Sequence, residues 1–223
     1  MKYKVIVFDM DGTSFDSKGY HDKMYTFFAP RIMELVGKQE GPIEQAVSYS
    51  GGTEASYFVE MGLADDKIEA ALDILDDTYA NYTEEFGHLA IMQEGLDKAL
   101  KRIKENGQIS ILLSNSLQSA VAGICKVHGL DKLFDIICGA PVDDLDKVDR
   151  IKRIIKDNGY DPKSIVCIGD SKFDFEMAKE LGADSCFMDT PIAWAKDKDM
   201  IYNVIKPTFI AHGFDEIPDL FEK

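Results

Sequence analysis

A short apolar run that ends in two carboxylates opens the chain. Residues 4–8 are predicted to form a buried parallel strand, because such strands are near-continuous apolar runs, and Asp9, Asp11 and Gly12 follow directly. Open α/β sheets place their ligands at the carboxyl ends of their strands, so both carboxylates are expected at that edge. Two adjacent carboxylates repel each other, and a divalent cation that prefers oxygen ligands would remove that cost. A solvated Asp-Gly turn is the alternative interpretation.

The charge of the chain limits the partners that it can bind. Its 40 acidic and 25 basic residues give a formal net charge of −15. Nucleic acids and anionic membrane surfaces bind clustered lysine and arginine, so neither is an expected partner. A small phosphorylated substrate is compatible with this charge, because one metal ion and one lysine can dominate a local site.

Cysteine spacing and the length of the apolar runs predict the compartment. The four cysteines form no C-x-x-C pair, which argues against a zinc ribbon or a thioredoxin-type motif and predicts buried free thiols. No apolar stretch approaches the length of a membrane-spanning helix, and the stretch beside Lys2 and Lys4 is too short for a signal peptide. We expect a reduced, soluble protein of the cytoplasm.

The pattern of apolar residues divides the chain into two parts. Between residues 17 and 90 they recur at helical spacing with no convincing strand, which predicts an inserted all-helical cap. Residues 1–16 and 91–223 are predicted to form an α/β catalytic core, a Rossmann-like parallel sheet with alternating helices and strands. Its predicted strands after the first are residues 109–113, 134–138, 165–168, 185–188 and 207–211, and its predicted helices are residues 95–106, 117–128, 147–158 and 173–181.

Polar residues follow several of these strands. Ser114 and Asn115 come after the second strand of the core, Lys147 precedes the fourth, and Asp170 follows the fourth, with Asp174 one turn later. Taken one by one, they are explained as helix caps, first-turn carboxylates and a solvated lysine. The carboxyl ends of parallel strands meet at one edge, however, so these groups can converge with the opening carboxylates. Together they form the inventory that phosphoryl transfer requires.

The ordered set of motifs resembles the haloacid dehalogenase superfamily of phosphotransferases over residues 4 to about 190. The matching segments are Asp9-Met10-Asp11-Gly12-Thr13, Ser114-Asn115, Lys147 and Gly169-Asp170-Ser171-Lys172-Phe173-Asp174. The segment Phe15-Asp16-Ser17 further resembles the phosphoglycolate phosphatase and β-phosphoglucomutase branch, which carries an all-helical cap between the first two motifs. The motif set is specific for the superfamily and weak for the substrate.

The resemblance implies a chemical role for four carboxylates. Asp9 attacks phosphorus and forms an aspartyl-phosphate, which splits one difficult step into two. Asp11 protonates the leaving alkoxide and later takes a proton from water, so it has to be protonated in the first step. Mg²⁺ is held by the Asp9 carboxylate, the Asp11 backbone carbonyl and Asp170. Asp174 supports these ligands through water or hydrogen bonds.

The resemblance also implies contacts to the phosphoryl group. Ser114, the backbone amide of Asn115 and the backbone amide of Gly12 hold the phosphoryl oxygens. Lys147 offsets the negative charge of Asp9 and of the phosphate.

The cap carries weaker signals. His21 stands where the β-phosphoglucomutase branch often has a histidine near the hinge, and a surface or packing histidine is the alternative. Gly51-Gly52-Thr53 resembles a cap loop that faces the active site, and an ordinary interhelical turn is equally consistent with it. Arg31 is the only arginine of the cap region, with no counterpart near Gly51 to bind a second phosphate.

The expected function is a Mg²⁺-dependent phosphatase that hydrolyses a small-molecule phosphomonoester. A sugar-phosphate mutase of the same superfamily and a non-catalytic binding module on this fold are the alternatives. The expected partner is a small phosphorylated metabolite, and the chain is expected to be a monomer or a homodimer. Residues 190–206 have no explanation in the family pattern, because they exceed its usual link to the last strand.

Overall fold

The computed structural model describes residues 2–37, 52–60, 62–143, 146–195 and 197–221. The strands are β1 (Val5–Phe8), β2 (Phe15–Asp16), β3 (Ile91–Met92), β4 (Ile109–Leu117), β5 (Ile136–Ala140), β6 (Ile165–Gly169), β7 (Asp184–Met188) and β8 (Phe209–Ala211). The helices are α1 (Lys18–Leu35), α2 (Glu54–Glu60), α3 (Asp65–Phe86), α4 (Leu96–Glu105), α5 (Gln118–Val127), α6 (Lys147–Asn158), α7 (Lys172–Leu181), α8 (Lys198–Met200) and α9 (Ile217–Phe221). None of the helices within these ranges combines the length and the apolar character needed to cross a lipid bilayer.

Six of these strands form one parallel sheet in the order β5-β4-β1-β6-β7-β8. β1 lies in its interior, with Val5 opposite Ile109 of β4 and Ile165 of β6. Successive residues of β1 are buried on opposite faces, so that Ile6 joins one apolar cluster and Val7 joins another. Helices cover both faces of such a sheet, which explains why its strands are apolar throughout. The predicted α/β fold with a parallel sheet is confirmed.

Strand β4 is longer than the sequence predicted. The apolar run ends at Leu113, but the extended chain continues to Leu117, and its pairing with β5 shifts register between these two residues. Ser114 and Asn115 therefore lie within an irregular strand end rather than after the strand, and α5 begins at Gln118. Polar residues and the register shift interrupt the apolar pattern here, so periodicity could not predict this extension.

Three described helices, α1 to α3, lie in the region predicted to form the cap. Two short strands that the sequence did not predict, β2 and β3, pair in antiparallel fashion where the chain enters and leaves this region. Strands of two residues are too short to give a periodic signal. The division of the chain into core and cap after residues 16 and 90 stays a prediction.

The helices of this region pack on the core at a glycine of α5. A Cβ atom at Gly123 would lie 2.6 Å from Cγ2 of Thr83 on α3. Thr83 is buried, and its hydroxyl is hydrogen-bonded to the hydroxyl of Tyr20 on α1 at 2.6 Å. Because Gly123 has no side chain, α3 approaches α5 closely at this point.

We predict that Gly123→Ala destabilises the protein, although alanine is the better helix former. Helix propensity favours alanine by about 1 kcal/mol, whereas overpacking against a rigid β-branched side chain costs about 1–3 kcal/mol. The free energy of unfolding in urea should therefore fall by about 1 kcal/mol. Thr83→Ser removes the clashing methyl group, so adding Gly123→Ala to that variant should cost less. Equal or higher stability of Gly123→Ala alone would contradict the prediction.

Candidate active site

Three predicted carboxylates meet at the carboxyl edge of the sheet. Asp9 follows β1, Asp170 follows β6, and Asp174 lies in the first turn of α7. One carboxylate oxygen of each lies within 4.8 Å of the others. Asp9 and Asp170 are far apart in sequence, and they meet because β1 and β6 are parallel neighbours in register.

Lys147 joins two of these carboxylates. It is the first residue of α6 and is 7% exposed. Its Nζ donates to Oδ1 of Asp9 at 2.5 Å and to Oδ1 of Asp174 at 2.8 Å. The other oxygen of Asp174 accepts hydrogen bonds from the backbone N–H and the hydroxyl of Ser171 at 3.1 and 2.7 Å. Burial lowers the pKa of Lys147, but the charges of Asp174 and Asp9 raise it by more, so the lysine is charged.

This cluster carries more negative than positive charge. Burial and the charge of Asp174 raise the pKa of Asp9 well above its ordinary value, against the opposing effect of Lys147. The same two causes raise the pKa of Asp170 to about 7. Raised carboxyl pKa values show that the buried negative charges are crowded. Because a hard divalent cation with oxygen ligands would relieve that crowding, the three carboxylates fit such an ion.

Gly12 allows the loop after β1 to approach Asp170. Its φ is +79°, and a Cβ atom there would lie 2.6 Å from Oδ2 of Asp170 and 2.9 Å from Cδ1 of Trp194. Any other residue would be strained and would collide with the site. The N–H of Gly12 donates to the carbonyl of Phe15 at 2.9 Å. The Gly12 amide is thus engaged within its own loop, and its expected contact with a phosphoryl oxygen stays a prediction.

The side chain of Asp11 lies apart from the three clustered carboxylates, among hydroxyl and imidazole groups. Oδ1 accepts a hydrogen bond from the hydroxyl of Ser17 and lies 3.1 Å from Nε2 of His21. Oδ2 accepts from the hydroxyls of Ser114 at 3.2 Å and Ser116 at 2.8 Å. The expected metal contact of Asp11 was its backbone carbonyl, and that contact stays a prediction.

The neighbours of Asp11 favour its charged form, and its expected protonation in the first step stays a prediction. Burial raises the pKa of Asp11, but the hydrogen bond and charge of His21, together with hydrogen bonds from Ser17 and Ser116, lower it to about 2. Four donors around one carboxyl group favour its charged form. In this arrangement Asp11 is therefore a carboxylate.

His21, a weak candidate in the sequence, lies within hydrogen-bonding distance of Asp11. Burial lowers the pKa of His21, but the hydrogen bond to Asp11 and the charge of Asp11 outweigh burial and raise the pKa above its ordinary value. The imidazole also packs edge to face against Trp194, with ring centroids 6.2 Å apart. Asp11 therefore favours the protonated form of His21.

The predicted phosphate-binding residues lie on the irregular end of β4, where Arg150 holds them. Arg150 is 5% exposed, and its guanidinium donates to the carbonyl of Ser114 at 2.8 Å and to Oδ1 of Asn115 at 3.2 Å. The hydroxyl of Ser114 in turn accepts from the N–H of Ser116 at 3.0 Å. Sequence reasoning missed Arg150 and gave Ser116, which follows Asn115 directly, no role of its own. The spacing of three between Lys147 and Arg150, which places both on one face of α6, was the available signal.

Residues 190–206, which the sequence left unexplained, reach the site through Trp194. The backbone N–H of Trp194 donates to Oδ2 of Asp170, whose Oδ1 accepts from the hydroxyl of Thr13 at 3.1 Å. The segment then forms α8 and a π-helical turn over Ile201–Ile205. The additional length of this link therefore positions a carboxylate of the cluster.

A cavity of about 760 Å³ opens beside the cluster. Its lining includes Asn115, Lys147 and Ser171, and also Gly52 and Thr53 from the region predicted to form the cap. Of the predicted cap loop, Gly52 and Thr53 thus face the cavity, whereas residue 51 lies outside the described residues. The volume suits a small-molecule site.

Comparisons with known proteins agree with this geometry. Residues 3–182 match the sequence model of the haloacid dehalogenase-like hydrolases, and residues 149–217 match a second model of HAD-hydrolase-like proteins. A protein of Caldanaerobacter subterraneus subsp. tengcongensis, provisionally named pyrophosphatase PpaX, is 26% identical over 191 residues, which are 83% of this chain and 81% of that protein.

Solved structures share the fold over nearly the whole chain. A haloacid dehalogenase-like hydrolase from Streptococcus pneumoniae has a TM-score of 0.74 at 22% identity, with 99% of each chain covered. A predicted phosphatase from Clostridium acetobutylicum has a TM-score of 0.79 at 18% identity, with 99% of this chain and 98% of that chain covered. A predicted phosphoglycolate phosphatase from Haemophilus somnus has a TM-score of 0.69 at 18% identity and the same coverage. At these identities the likeness establishes the fold.

We predict that Asp11→Asn lowers the pKa of His21 in the metal-free protein, because the hydrogen bond and charge of Asp11 are what raise it. Histidine ring resonances followed by NMR against pH measure this shift. The ring resonances of His88, His128 and His212, which contact residues other than Asp11, serve as internal controls for the effect of the substitution. An unchanged His21 titration would contradict the assigned contact.

The contact between Asp11 and His21 should also make the free energy of unfolding depend on pH. A histidine with a raised pKa stabilises the native state fully below the unfolded value of about 6.5, and this contribution declines as pH rises through the raised folded pKa. The natural chain and Asp11→Asn should therefore differ less in free energy of unfolding as the pH increases from the unfolded pKa of His21 through its folded pKa.

Proposed function

Because the chain belongs to the haloacid dehalogenase-like hydrolase family, we propose that it is a Mg²⁺-dependent phosphatase that hydrolyses a small-molecule phosphomonoester through an aspartyl-phosphate. The observation that carries this proposal is the buried contact of Asp9 with Lys147 at 2.5 Å, beside the carboxylates of Asp170 and Asp174. A carboxylate nucleophile next to a cation and a metal-binding group has the parts that phosphoryl transfer needs.

The metal-binding residues in this proposal are the Asp9 carboxylate, the Asp170 carboxylate and the backbone carbonyl of Asp11. Asp174 lies in the same cluster, but Lys147 and Ser171 already bond both of its oxygens, which favours a supporting role. When bound, Mg²⁺ supplies positive charge that offsets the phosphoryl oxygens and orients the phosphoryl group.

In the first step, a carboxylate oxygen of Asp9 forms a bond to phosphorus while the bond from phosphorus to the leaving oxygen breaks. Lys147 favours the ionised form of Asp9 and holds its carboxylate in place, although burial and the charge of Asp174 raise the pKa of Asp9 by more. The charge of bound Mg²⁺ would favour the ionised form further. The backbone amide of Gly12 is one predicted ligand of the phosphoryl oxygens, and the hydroxyl of Ser114 and the backbone amide of Asn115 are the other two. Arg150 fixes the backbone on which both lie.

The leaving alkoxide takes a proton from Asp11, which has to receive that proton first. His21 is the source that the geometry favours, since its Nε2 lies 3.1 Å from Oδ1 of Asp11. In the second step, Asp11 accepts a proton from water while the water oxygen attacks phosphorus. The bond from phosphorus to Asp9 then breaks, and inorganic phosphate leaves.

The alternative of a sugar-phosphate mutase needs a second phosphate-binding group. Arg31 forms an ion pair with Asp77 at 2.6 Å, and no arginine is among the described residues that line the cavity. The family relation and the intact cluster favour hydrolysis over a non-catalytic binding module. The provisional name of the Caldanaerobacter relative makes pyrophosphate one of the substrates to test.

Asp9→Asn should abolish turnover and leave the fold intact, because the amide keeps the shape of the side chain and loses its nucleophilic charge. Release of inorganic phosphate from a panel of phosphomonoesters, with and without Mg²⁺, should fall by at least about a thousandfold, with an unchanged circular dichroism spectrum. Asp97→Asn, a surface variant on α4, is the matched control. Turnover retained in Asp9→Asn would exclude Asp9 as the nucleophile.

Asp170→Asn should weaken Mg²⁺ binding. Mg²⁺ should raise the melting temperature of the natural chain. In Asp170→Asn the Mg²⁺ concentration at the midpoint of this rise should be at least about tenfold higher, because one charged ligand is lost. The same titration of Asp97→Asn should match that of the natural chain. An identical midpoint in Asp170→Asn would remove this residue from the metal site.

A further inference from the structure

The cavity beside the cluster is the place where the rest of a substrate would lie, and its walls bear on the class of that substrate. This inference rests on the proposed function. The cavity of about 760 Å³ begins at Lys147 and Asn115, next to Asp9, and extends past the N-terminal end of α7 to the segment before α8. A leaving group attached to a phosphoryl group at the cluster therefore faces this space.

One wall of the cavity is apolar. Phe173 on α7 is 40% exposed, which is high for a phenylalanine, and the half-buried Val148 and Ala195 lie on the same cavity. The apolar lining residues are Val148, Phe173, Met177, Trp194, Ala195, Met200 and Ile201. Ile201 and Ala195 pack with the buried Phe175 and Phe187, so part of this wall is anchored in the core. An exposed aromatic ring on a concave apolar wall is typical of a site that binds an apolar group.

The charged groups on the cavity are mainly carboxylates. Asp146 and Asp197 cap helices through the N–H groups of Val148 and Met200, and Glu180 forms an ion pair with Lys152. Glu176 is an exposed residue of α7 that also lines the cavity. Glu176 has no such partner among the described residues, and with it the wall carries more negative than positive charge, which disfavours an anionic group by like-charge repulsion.

The described lysines of the cavity do not reverse this potential. Lys147 is engaged by Asp9 and Asp174, so its charge is directed to the cluster. Lys172 lies with its Nζ 5.2 Å from the centroid of the Phe173 ring, at the exposed start of α7. Four carboxylates against Lys172 and against Lys152, the partner of Glu180, still leave the described wall with net negative charge.

We propose that the substrate is a phosphomonoester whose leaving group carries an uncharged apolar moiety, bound against Phe173, and that esters with a second anionic group are poor substrates. Phosphate monoesters with a distal carboxylate or a second phosphate, and pyrophosphate itself, belong to the disfavoured class. Glu176 and Phe173 are the specificity-determining residues of this leaving-group site.

Four propyl phosphates that differ only at the third carbon test the proposal, with phenyl, trimethylammonium, carboxylate or a second phosphate at that position. The substituent is remote from the ester oxygen, so differences in kcat/KM report recognition. With Mg²⁺, we expect kcat/KM for the phenyl ester to exceed that of both anionic esters and of pyrophosphate by at least about tenfold. A larger kcat/KM for an anionic substrate or for the trimethylammonium ester would overturn the proposal.

Two variants test whether Phe173 and Glu176 cause the differences in kcat/KM between the esters. Phe173→Ala should lower kcat/KM for the phenyl ester several-fold and leave the carboxylate ester unchanged. Val204→Ala, at an exposed residue outside the cavity lining, is its control. Glu176→Lys should raise kcat/KM for the carboxylate ester several-fold, whereas Glu105→Lys adds the same charge on α4 and should not. Equal effects of a variant and its control would overturn the assignment.

Binding of unreactive phosphonates separates this proposal from the proposed function. Calorimetry with 3-phenylpropylphosphonate and 3-carboxypropylphosphonate, in the presence of Mg²⁺, should show tighter binding of the phenyl compound even if no ester is hydrolysed. Phosphate release that is absent for every ester, with this preference in binding, would defeat the phosphatase proposal alone. Release that is fastest for an anionic ester would defeat the substrate class alone.

Discussion

Three buried carboxylates held around one lysine set the conditions for the rest of the active site. Asp9, Asp170 and Asp174 carry charges that burial and mutual repulsion disfavour, and Lys147 compensates only part of them. Removing one partner from such a cluster leaves an uncompensated buried charge, which is costly. The surrounding structure therefore supplies hydrogen-bond donors to the carboxylates, and the unbalanced charge remains available for a cation.

Such a cluster also requires backbone that approaches without side chains. A Cβ atom at Gly12 would lie 2.6 Å from an oxygen of Asp170, and one at Gly169 would lie 2.4 Å from an oxygen of Asp174. Glycine at these two positions lets the loop after β1 and the end of β6 pass the carboxylates directly. These two glycines therefore leave room for the carboxylates of Asp170 and Asp174. The backbone amide of Gly12 is hydrogen-bonded within its own loop.

The sequence predicted which carboxylates lie together wherever those residues directly follow apolar runs. Asp9 and Asp170 come at the ends of strands whose patterns are plain, so their convergence followed from the parallel sheet alone. Arg150 and Trp194 were missed, because the first looks like an ordinary charged residue of an amphipathic helix and the second lies in a segment without periodicity. Their contacts with Ser114 and Asp170 depend on distant parts of the chain.

The sequence by itself determined the parallel sheet, the order of its helices and the strand ends that carry the carboxylates, since apolar periodicity is a local property that the fold preserves. Only the tertiary structure decided the charge state of Asp11. That state depends on His21, which lies ten residues away on α1, and on Ser114 and Ser116 at the end of β4. The pKa of a group depends on burial and on the charges and hydrogen bonds of every element packed around it. No local pattern in the sequence contains all of these contributions.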